Sequence, residues 1–513
     1  MASIILRSTT DMTSVNDSGF GFDIGSAADF YQWRTSNGAA FTITALSGSD
    51  NITVDGGGLP LTGTITGLVA LNELDAIAYV VTDLAVPLTG LVDADPAVSA
   101  GQTVLGAADV FDLTLQQSPK IFGDSFSVTT GGTLTGGNDQ ITLGNTGGLT
   151  YTVAGDARNH AGTVNGGADT ITLNANFGDG TVVSGDVLIS DGILNGGGDK
   201  LTLNMTGDFA ADTIIFVGDA QLAQRQVTGG DDVMVLRLDQ LELVSFIMEM
   251  SGDVHTVATV NSVVTGGDDT MTVTDVRVSS IAGDAVSQSA GVITGGDDKI
   301  TLNSTQGVTI AGDVVNFTGG TLTPGADTIR GGSGGDKIFG ESATSTFPQT
   351  VGTTVNAGGN DRIDGRDGND TLFGQVGNDV LTGGRGDDVI NGGSGNDTLV
   401  CGNGKDVLVG GGGAGIYDFN AATELSAGSP LTDIIIGFAV SDRIDISDIV
   451  TGKANPAAPF TFQTTPLTGA GQVTFTQTAN NTIISGSTDG DAAAEFTILV
   501  RGLLTFTASH FIL

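Results

Sequence analysis

Aspartates recur every nine residues in the last part of the chain, within the pattern GGxGxDxUx, in which U is aliphatic. Copies begin at Leu322, Gly331 and Asn356, and then follow one another without a break over residues 365–418. The sixth position supplies a carboxylate, which is the side chain that hard cations prefer. The candidate metal ligands are Asp327, Asp336, Asp361, Asp370, Asp379, Asp388, Asp397 and Asp406.

Two nonapeptides form one coil, so alternate aspartates are predicted to stack in two columns, with Asp361, Asp379 and Asp397 in one and Asp370, Asp388 and Asp406 in the other. Neighbouring coils lie about 4.8 Å apart. Two like charges at that distance repel by roughly 3 kcal/mol even at an effective dielectric constant of 20. A cation held by carboxylate and carbonyl oxygens removes this penalty, and Ca²⁺ favours six to eight oxygen ligands. The spacing therefore predicts Ca²⁺ in the turns.

These repeats resemble the RTX, or haemolysin-type, calcium-binding repeats, and the resemblance covers residues 322–513. It implies a right-handed parallel β-roll with Ca²⁺ in the turns. The last nonapeptide, which starts at Gly410, departs from the pattern because Gly415 stands where aspartate is expected. We expect this copy to act as a cap, without a regular Ca²⁺ site.

A longer repeat of about 30 residues precedes the nonapeptides and contains a Gly-Gly-x-Asp turn followed by alternating Thr and aliphatic residues. A Gly-Asp pair lies inside most of its copies. A fixed period of this length predicts a solenoid. The turn aspartates either bind Ca²⁺ or only satisfy backbone amides, and they are the candidates for further metal ligands: Asp139, Asp169, Asp199, Asp232, Asp269 and Asp298.

The two repeats together predict an all-β protein: a long right-handed parallel β-solenoid with coils of about 30 residues, continuing into an RTX β-roll with a C-terminal β cap. The expected divisions are an N-terminal cap or cell-anchoring segment (1–45), the long-repeat solenoid (46–321), the calcium-binding roll (322–418) and the cap (419–513).

The C-terminal region also suggests a route out of the cell. Residues 431–447 resemble the segment that follows RTX repeats, and residues 504–513 resemble the uncleaved secretion signal of type I export substrates. The alternative is an ordinary hydrophobic final strand, and both interpretations can hold. An apolar run of only three residues near the start is too short for a signal peptide. The resemblance thus implies an extracellular protein.

Composition and motifs exclude several function classes. Lys plus Arg is 18 and Asp plus Glu is 58, a net charge of −40, which argues against nucleic acid as a partner. There is no apolar stretch long enough for a membrane span. The three histidines form no H-E-x-x-H motif. A G-x-S-x-G match at Ser333 lies inside a nonapeptide, and we interpret it as accidental. Arg158, Asn159 and His160 are expected in a surface loop.

We therefore expect no enzyme and no catalytic residues. The chain resembles RTX-type surface-layer (S-layer) proteins, which form two-dimensional lattices on the cell surface of Gram-negative bacteria. That resemblance implies self-association and a contact of the N-terminal region with lipopolysaccharide. Two alternatives stay open: a secreted adhesin or matrix filament, and a polysaccharide-modifying β-helix enzyme.

Overall fold

The computed structural model is all-β over the residues that it describes. These residues are 2–5, 23–25, 28–34, 40–45, 77–80, 103–105, 110–115, 120–128, 130–145, 150–175, 180–205, 213–238, 247–274, 278–343, 353–355, 358–420, 433–449, 459–489 and 491–513. Their one helical element is a single 3₁₀ turn, Ala508–His510. None of these residues belongs to a helix with the length and apolarity needed to cross a membrane.

The chain forms two compact units. The first comprises Met1–Ser280, Asp284–Thr294 and Thr318–Gly320. The second comprises Ile281–Gly283, Gly295–Phe317 and Thr321–Leu513. Two strands, Ser280–Ala282 and Gly320–Thr323, contain residues of both units.

Antiparallel pairing occurs near the N-terminus of the first unit. Ala28–Arg34 pairs in antiparallel fashion with Ala40–Ala45 and with Asp23–Gly25. Ala2–Ile5 pairs with Ala40–Ala45 in the same sense. Ile77–Val80 instead pairs in parallel with Val110–Leu115. The segment predicted to be a cap or anchor therefore differs in strand pairing from the repeats that follow it.

Each long repeat builds one coil of four short strands. In one such coil the strands are Thr163–Asn165, Thr170–Ala175, Thr181–Ser184 and Val187–Ser190. A four-residue turn that ends in aspartate joins the first strand to the second, and a Gly-Asp pair joins the third to the fourth. Each strand pairs in parallel with its equivalent in the next coil. The sequence predicted at least two strands per unit, and the structure has four.

The long-repeat strands of the first unit form four parallel sheets. First strands are Thr103–Leu105, Thr133–Thr135, Thr163–Asn165, Ile193–Asn195, Gln226–Thr228, Val263–Thr265 and Val292–Thr294. Second strands are Val110–Leu115, Gln140–Asn145, Thr170–Ala175, Lys200–Met205, Val233–Leu238 and Thr270–Thr274. Third strands are Lys120–Phe122, Thr152–Ala154, Thr181–Ser184, Thr213–Val217 and Ile247–Ser251. Fourth strands are Ser125–Val128, Ala157–His160, Val187–Ser190, Ala220–Ala223, Val254–Val257 and Ala285–Gln288.

The second unit begins with long-repeat strands and changes to two strands per coil. Its early strands are Lys299–Asn303, Thr309–Ala311, Val314–Phe317, Thr328–Arg330, Lys337–Phe339 and Thr353–Val355. The nonapeptides then form Arg362–Asp367, Thr371–Val376, Val380–Arg385, Val389–Ser394, Thr398–Asn403, Val407–Gly412 and Ile416–Asp418. Alternate nonapeptides pair in parallel, with Ile363 opposite Leu381 and Leu372 opposite Ile390. This register confirms that two nonapeptides make one coil.

The core of both units is a stack of aliphatic side chains that repeats from coil to coil. In the nonapeptides the eighth position is buried in every copy from Ile329 to Leu408. In the long repeats Ile171 and Leu173 are buried, and the threonines between them are half-exposed. A buried aliphatic side chain contributes about 1.5–3 kcal/mol, so each coil adds a similar increment to the stack.

The stack continues for one coil beyond Asp418, where the sequence period was predicted to stop. Ile434–Ile436 pairs with Val407–Gly412, and Arg443–Asp445 pairs with Ile416–Asp418. The prediction of an end at Asp418 was therefore wrong. The missed signal is short: Asp433 and Asp442 lie nine residues apart, and each is followed two residues later by isoleucine.

The C-terminal cap closes this last coil. Gln472–Gln477, Asn481–Ser487 and Phe496–Arg501 form an antiparallel meander, preceded by Thr461–Phe462. Phe496–Arg501 adds in parallel to Ile434–Ile436, and Phe511–Ile512 adds to Arg443–Asp445. Phe506 and Phe511 are buried. The final strand covers an otherwise open edge.

The expectation of a surface loop at Arg158, Asn159 and His160 was wrong. These residues lie in the strand Ala157–His160, and His160 is buried. Burial lowers the pKa of the His160 imidazole to about 4, so the ring is neutral at pH 7.

Candidate metal sites in columns of buried aspartates

The aspartates of the four-residue turns are linked from coil to coil by hydrogen bonds, and we call this column the long ladder. The backbone N–H of Asp169 donates to Asp199 Oδ1 at 2.7 Å, and that of Asp199 donates to Asp232 Oδ1 at 2.6 Å. The same bond joins Asp139 to Asp169 and Asp232 to Asp269 in the first unit. In the second unit it joins Asp298, Asp327, Asp361, Asp379 and Asp397 in order.

A second column of linked aspartates, which we call the short ladder, is also present. Among the described residues it is found in the second unit only. The Asp370 N–H donates to Asp388 Oδ1, and the Asp388 N–H donates to Asp406 Oδ1, both at 2.8 Å. Asp336 lies at one end of this ladder and Asp433 at the other. The predicted stacking of the nonapeptide aspartates in two columns is confirmed.

Six ladder carboxylates of the nonapeptides have one oxygen that accepts a hydrogen bond and one that points into the turn. Oδ1 accepts the backbone N–H, whereas Oδ2 is buried and accepts no hydrogen bond in Asp361, Asp370, Asp379, Asp388, Asp397 and Asp406. Asp336 differs, because its Oδ1 accepts the Val308 N–H and its Oδ2 accepts the Gly332 N–H. A methyl group added at Gly365 would lie 2.5 Å from Asp370 Oδ2 and 2.7 Å from the Gly383 carbonyl oxygen. Glycine at the first position thus keeps open a cradle lined by oxygen atoms.

Glycine is needed at the second and fourth positions for a different reason. Gly384 and Gly386 have φ values of 109° and 133°, a region that side-chain-bearing residues rarely adopt. Arg366 and Gln375 occupy the second position with φ of 74°. Such a conformation costs on the order of 1–3 kcal/mol per residue, so the turn geometry is imposed by the stack.

Burial makes the ionised form of these carboxylates unfavourable. It raises the pKa of Asp388 and Asp397 to about 6, and that of Asp370 and Asp379 to about 7. The pKa of Asp406 rises to about 8, and there the nearby charge of Asp433 adds to the effect of burial. A cation against Oδ2 would compensate the buried charge.

The donor set fits Ca²⁺. The polar atoms nearest the first glycines Gly365, Gly374 and Gly383 are carboxylate and carbonyl oxygens, and hard cations select such ligands. The eight predicted nonapeptide aspartates all lie in a ladder: four in the long ladder and four in the short one. The structure therefore brings together the residues that the sequence singled out.

In the last nonapeptide the hydroxyl of Tyr417 takes the place of the aspartate carboxylate. Gly415 has no side chain, and the Tyr417 hydroxyl accepts a hydrogen bond from the Gly410 N–H at 2.9 Å. That hydroxyl lies against Gly410, at the place where Oδ2 faces the first glycine in earlier copies. The expected departure from a regular site at this copy agrees with the geometry. Asp442 then resumes the column, because the Gly415 N–H donates to its Oδ1.

The fold also buries acidic residues that the sequence did not single out as metal ligands. Asp433 and Asp442 extend the columns into the cap region. Six aspartates of the Gly-Asp pairs are fully buried: Asp156, Asp186, Asp219, Asp253, Asp284 and Asp313. Glu341 follows Asp313 in this series, since the Asp313 N–H donates to the Glu341 carbonyl oxygen. Burial, and then the charge of Asp361, raise the Glu341 pKa to about 10.

Cys401 modifies one position of the short ladder. It replaces the first glycine of its nonapeptide. Ligand atoms of Cys401, Asp406 and Asp433 lie within 4.8 Å of one another, and all three residues are buried. The thiol therefore borders an otherwise all-oxygen column.

Comparison with known proteins agrees with this geometry. The family model of the RTX calcium-binding nonapeptide repeat (4 copies) matches residues 322–344, 357–390 and 382–417. These segments are thus calcium-binding repeats of the RTX type, a class of proteins that are typically secreted. The sequence matches none of the curated proteins with which it was compared.

One similar solved structure is the solution structure of the AlgE6R3 subunit from the Azotobacter vinelandii mannuronan C5-epimerase. It is 20% identical, and the match covers 37% of this chain and 78% of that chain, with a TM-score of 0.19. At this TM-score the likeness supports no conclusion about the present chain.

Replacing a ladder aspartate should raise the Ca²⁺ concentration needed for folding. We expect Asp388→Asn to shift the midpoint of a Ca²⁺ titration, followed by far-UV circular dichroism, roughly tenfold or more, since even indirect supports of a metal site contribute 10–100-fold in affinity. Asp387→Asn is the matched control, because Asp387 is the exposed neighbour with the same charge. Equal midpoints for the two variants would contradict a ligand role for Asp388.

The metal-free protein should lose stability as pH rises. A carboxyl group with a raised folded-state pKa stabilises the fold below its unfolded pKa of about 3.9, and this contribution disappears as pH rises through the folded value. The pH range over which this contribution is lost ends at the folded-state pKa, which is about 6 for Asp388 and about 8 for Asp406. Thermal melting in EGTA should therefore occur at a lower temperature at pH 8 than at pH 5.5. Saturating Ca²⁺ should remove most of this difference, and an unchanged difference would show that the cation does not bind the ladders.

Proposed function

We propose that this protein is a calcium-dependent structural protein of the bacterial cell surface, which assembles with copies of itself as an S-layer subunit. The observation that carries the proposal is the pair of buried aspartate ladders, because they couple the folding of a regular stack of coils to external Ca²⁺. A protein that folds only after export can be secreted unfolded and become rigid outside.

Lateral association is supported by an apolar stripe on the sheet of first strands. Ile193, Val263 and Val292 are large hydrophobic residues with 42%, 45% and 37% of their surface exposed. They share one register position, at which Ile193 lies opposite Gln226, Gln226 opposite Val263, and Val263 opposite Val292. Exposed apolar residues aligned along a sheet favour contact with another protein surface.

Charge decides when such contact can occur. With a net charge of −40 the free chains repel one another. Divalent cations neutralise carboxylates in the turns and bridge others between molecules, whereas monovalent salt only screens them. Assembly is therefore expected to require Ca²⁺. In this proposal residues 1–45 contact the cell, with lipopolysaccharide as the candidate ligand.

The assembly itself can be tested with one substitution. The wild-type protein should be monomeric in chelator and form sheets in millimolar Ca²⁺, seen by light scattering and negative-stain microscopy. Val263→Lys should fold normally and assemble poorly, because it places a charge within the stripe. Val440→Lys is the control, since Val440 is 92% exposed and lies outside the stripe.

The form of the product separates the remaining alternatives. Filaments shed from cells would favour the adhesin or matrix role. A protein that stays monomeric at every Ca²⁺ concentration would contradict self-assembly, and turnover of a polyuronate would then favour the enzyme.

We further propose that the C-terminal segment directs type I export. Deletion of the residues after Arg501 should retain the protein inside the cell, and deletion of residues 1–45 should not. Because Phe511 also pairs with Ile444 in the cap, Ile444→Asp serves as a control that disturbs the same contact and leaves the segment intact. Immunoblots of cells and medium measure the outcome, and retention of Ile444→Asp would attribute the effect to the cap instead.

A further inference from the structure

The long-repeat coils bring two separate turns of the chain together in their interior. Asp156 belongs to a Gly-Asp pair and Asp169 to the next four-residue turn, 13 positions later. The Gly167 N–H, within that second turn, donates to Asp156 Oδ2 at 3.1 Å. Ligand oxygens of Asp156, Asp169 and Asp186 lie within 4.8 Å of one another, and all three residues are buried.

These carboxylates have oxygens aimed at one another without a donor. Asp156 Oδ1, Asp169 Oδ2 and Asp186 Oδ1 are each buried and accept no hydrogen bond. The side chains are fully buried or 1% exposed. A methyl group added at Gly155 would meet both Asp169 Oδ2 and the Gly185 carbonyl oxygen. The glycines of the Gly-Asp pairs therefore leave no room for a side chain, because carboxylate and carbonyl oxygens lie directly against them.

The glycine contacts and the buried oxygens without a donor recur along the first unit. A methyl group at Gly218 would meet Asp232 Oδ2 and the Gly252 carbonyl oxygen, and one at Gly229 would meet Asp253. Asp232 Oδ2 and Asp253 Oδ2 are again buried without a donor. In the nonapeptides the second carboxylate is absent, because Arg366, Gln375 or glycine follows the first glycine. Buried Gly-Asp and long-ladder carboxylates therefore recur from coil to coil, and at Asp156, Asp169 and Asp186 their ligand oxygens lie within 4.8 Å of one another.

We infer that the long-repeat coils form a second series of divalent-cation sites, outside the nonapeptides, in which a Gly-Asp aspartate and a long-ladder aspartate bind the same ion. One divalent cation per coil balances the two carboxylates of that coil. The oxygen-only donor set selects a hard cation, and Ca²⁺ tolerates the irregular geometry of two turns from different parts of the coil. The alternative, that these aspartates only satisfy turn amides, leaves the inward oxygens without a role.

The test uses full-length protein and Ca²⁺ alone. Bound Ca²⁺ is counted by elemental analysis after equilibrium dialysis. Asp186→Asn and Asp232→Asn should each lose about one ion per chain, because each removes a charged ligand from a two-carboxylate site. Their controls are Asp191→Asn and Asp231→Asn, at exposed aspartates close by in sequence, and both should retain the wild-type count.

Thermal melting distinguishes a ligand from a turn residue. Asparagine keeps the Oδ1 acceptor of Asp232 and removes the repulsion, so Asp232→Asn should raise the melting temperature in EGTA and reduce the gain on adding Ca²⁺. If Asp232 is only a turn residue, the rise in melting temperature on adding Ca²⁺ should be the same in Asp232→Asn as in the wild type. The inference would be overturned if Asp186→Asn and Asp232→Asn both bound as many Ca²⁺ ions as the wild type and both showed the wild-type rise in melting temperature on adding Ca²⁺. A loss of ions in Asp388→Asn alone would leave the proposed function intact and refute only the long-repeat sites.

Discussion

The structure depends on the cost of burying one carboxylate directly above another. In Asp361, Asp370, Asp379, Asp388 and Asp397 one carboxylate oxygen accepts a backbone N–H from the neighbouring coil, and the other is buried against a glycine. The hydrogen bond fixes the register between coils. A shift of one residue would break this bond and would also move the aliphatic side chain two positions later out of the core. The same burial raises the carboxylate pKa, so the interaction that aligns the stack also makes it dependent on protons or a cation.

The two repeats bury their stacked carboxylates in coils of different construction. A long-repeat coil has four strands and two acidic turns, whereas a nonapeptide coil has two strands and one aspartate in each turn. Glu341 is the last acid of the Gly-Asp series, and Gln375 takes the equivalent place in the next coil, where its Oε1 accepts the Glu341 N–H. The change from acid to amide at this position accompanies the change from the four-strand coil to the two-strand coil.

The apolar stripe and the aspartate columns occupy different places in the fold. Ile193, Val263 and Val292 are exposed on the sheet of first strands, while the ladder aspartates are buried inside the coils. In the function that we propose, Ca²⁺ acts on folding through the buried ladders and on association through carboxylates at the surface. The cap closes the stack through Phe511–Ile512, so the C-terminal segment has a structural place whatever its part in export.

The sequence by itself determined the period, the inward aliphatic positions and the pairing of alternate nonapeptide aspartates, because a repeat of nine residues imposes them on any stack of coils. It could not determine that the Gly-Asp pairs meet the four-residue turns. Asp156 and Asp169 are 13 residues apart with two strands between them, and only the closure of the coil places their carboxylates together. It also did not reveal the extra coil at Asp433 and Asp442, since two copies separated from the array by a stretch of sequence without the period give too weak a periodic signal. Local spacing fixes what repeats along the stack, and the path of the chain around each coil decides which turns meet across its interior.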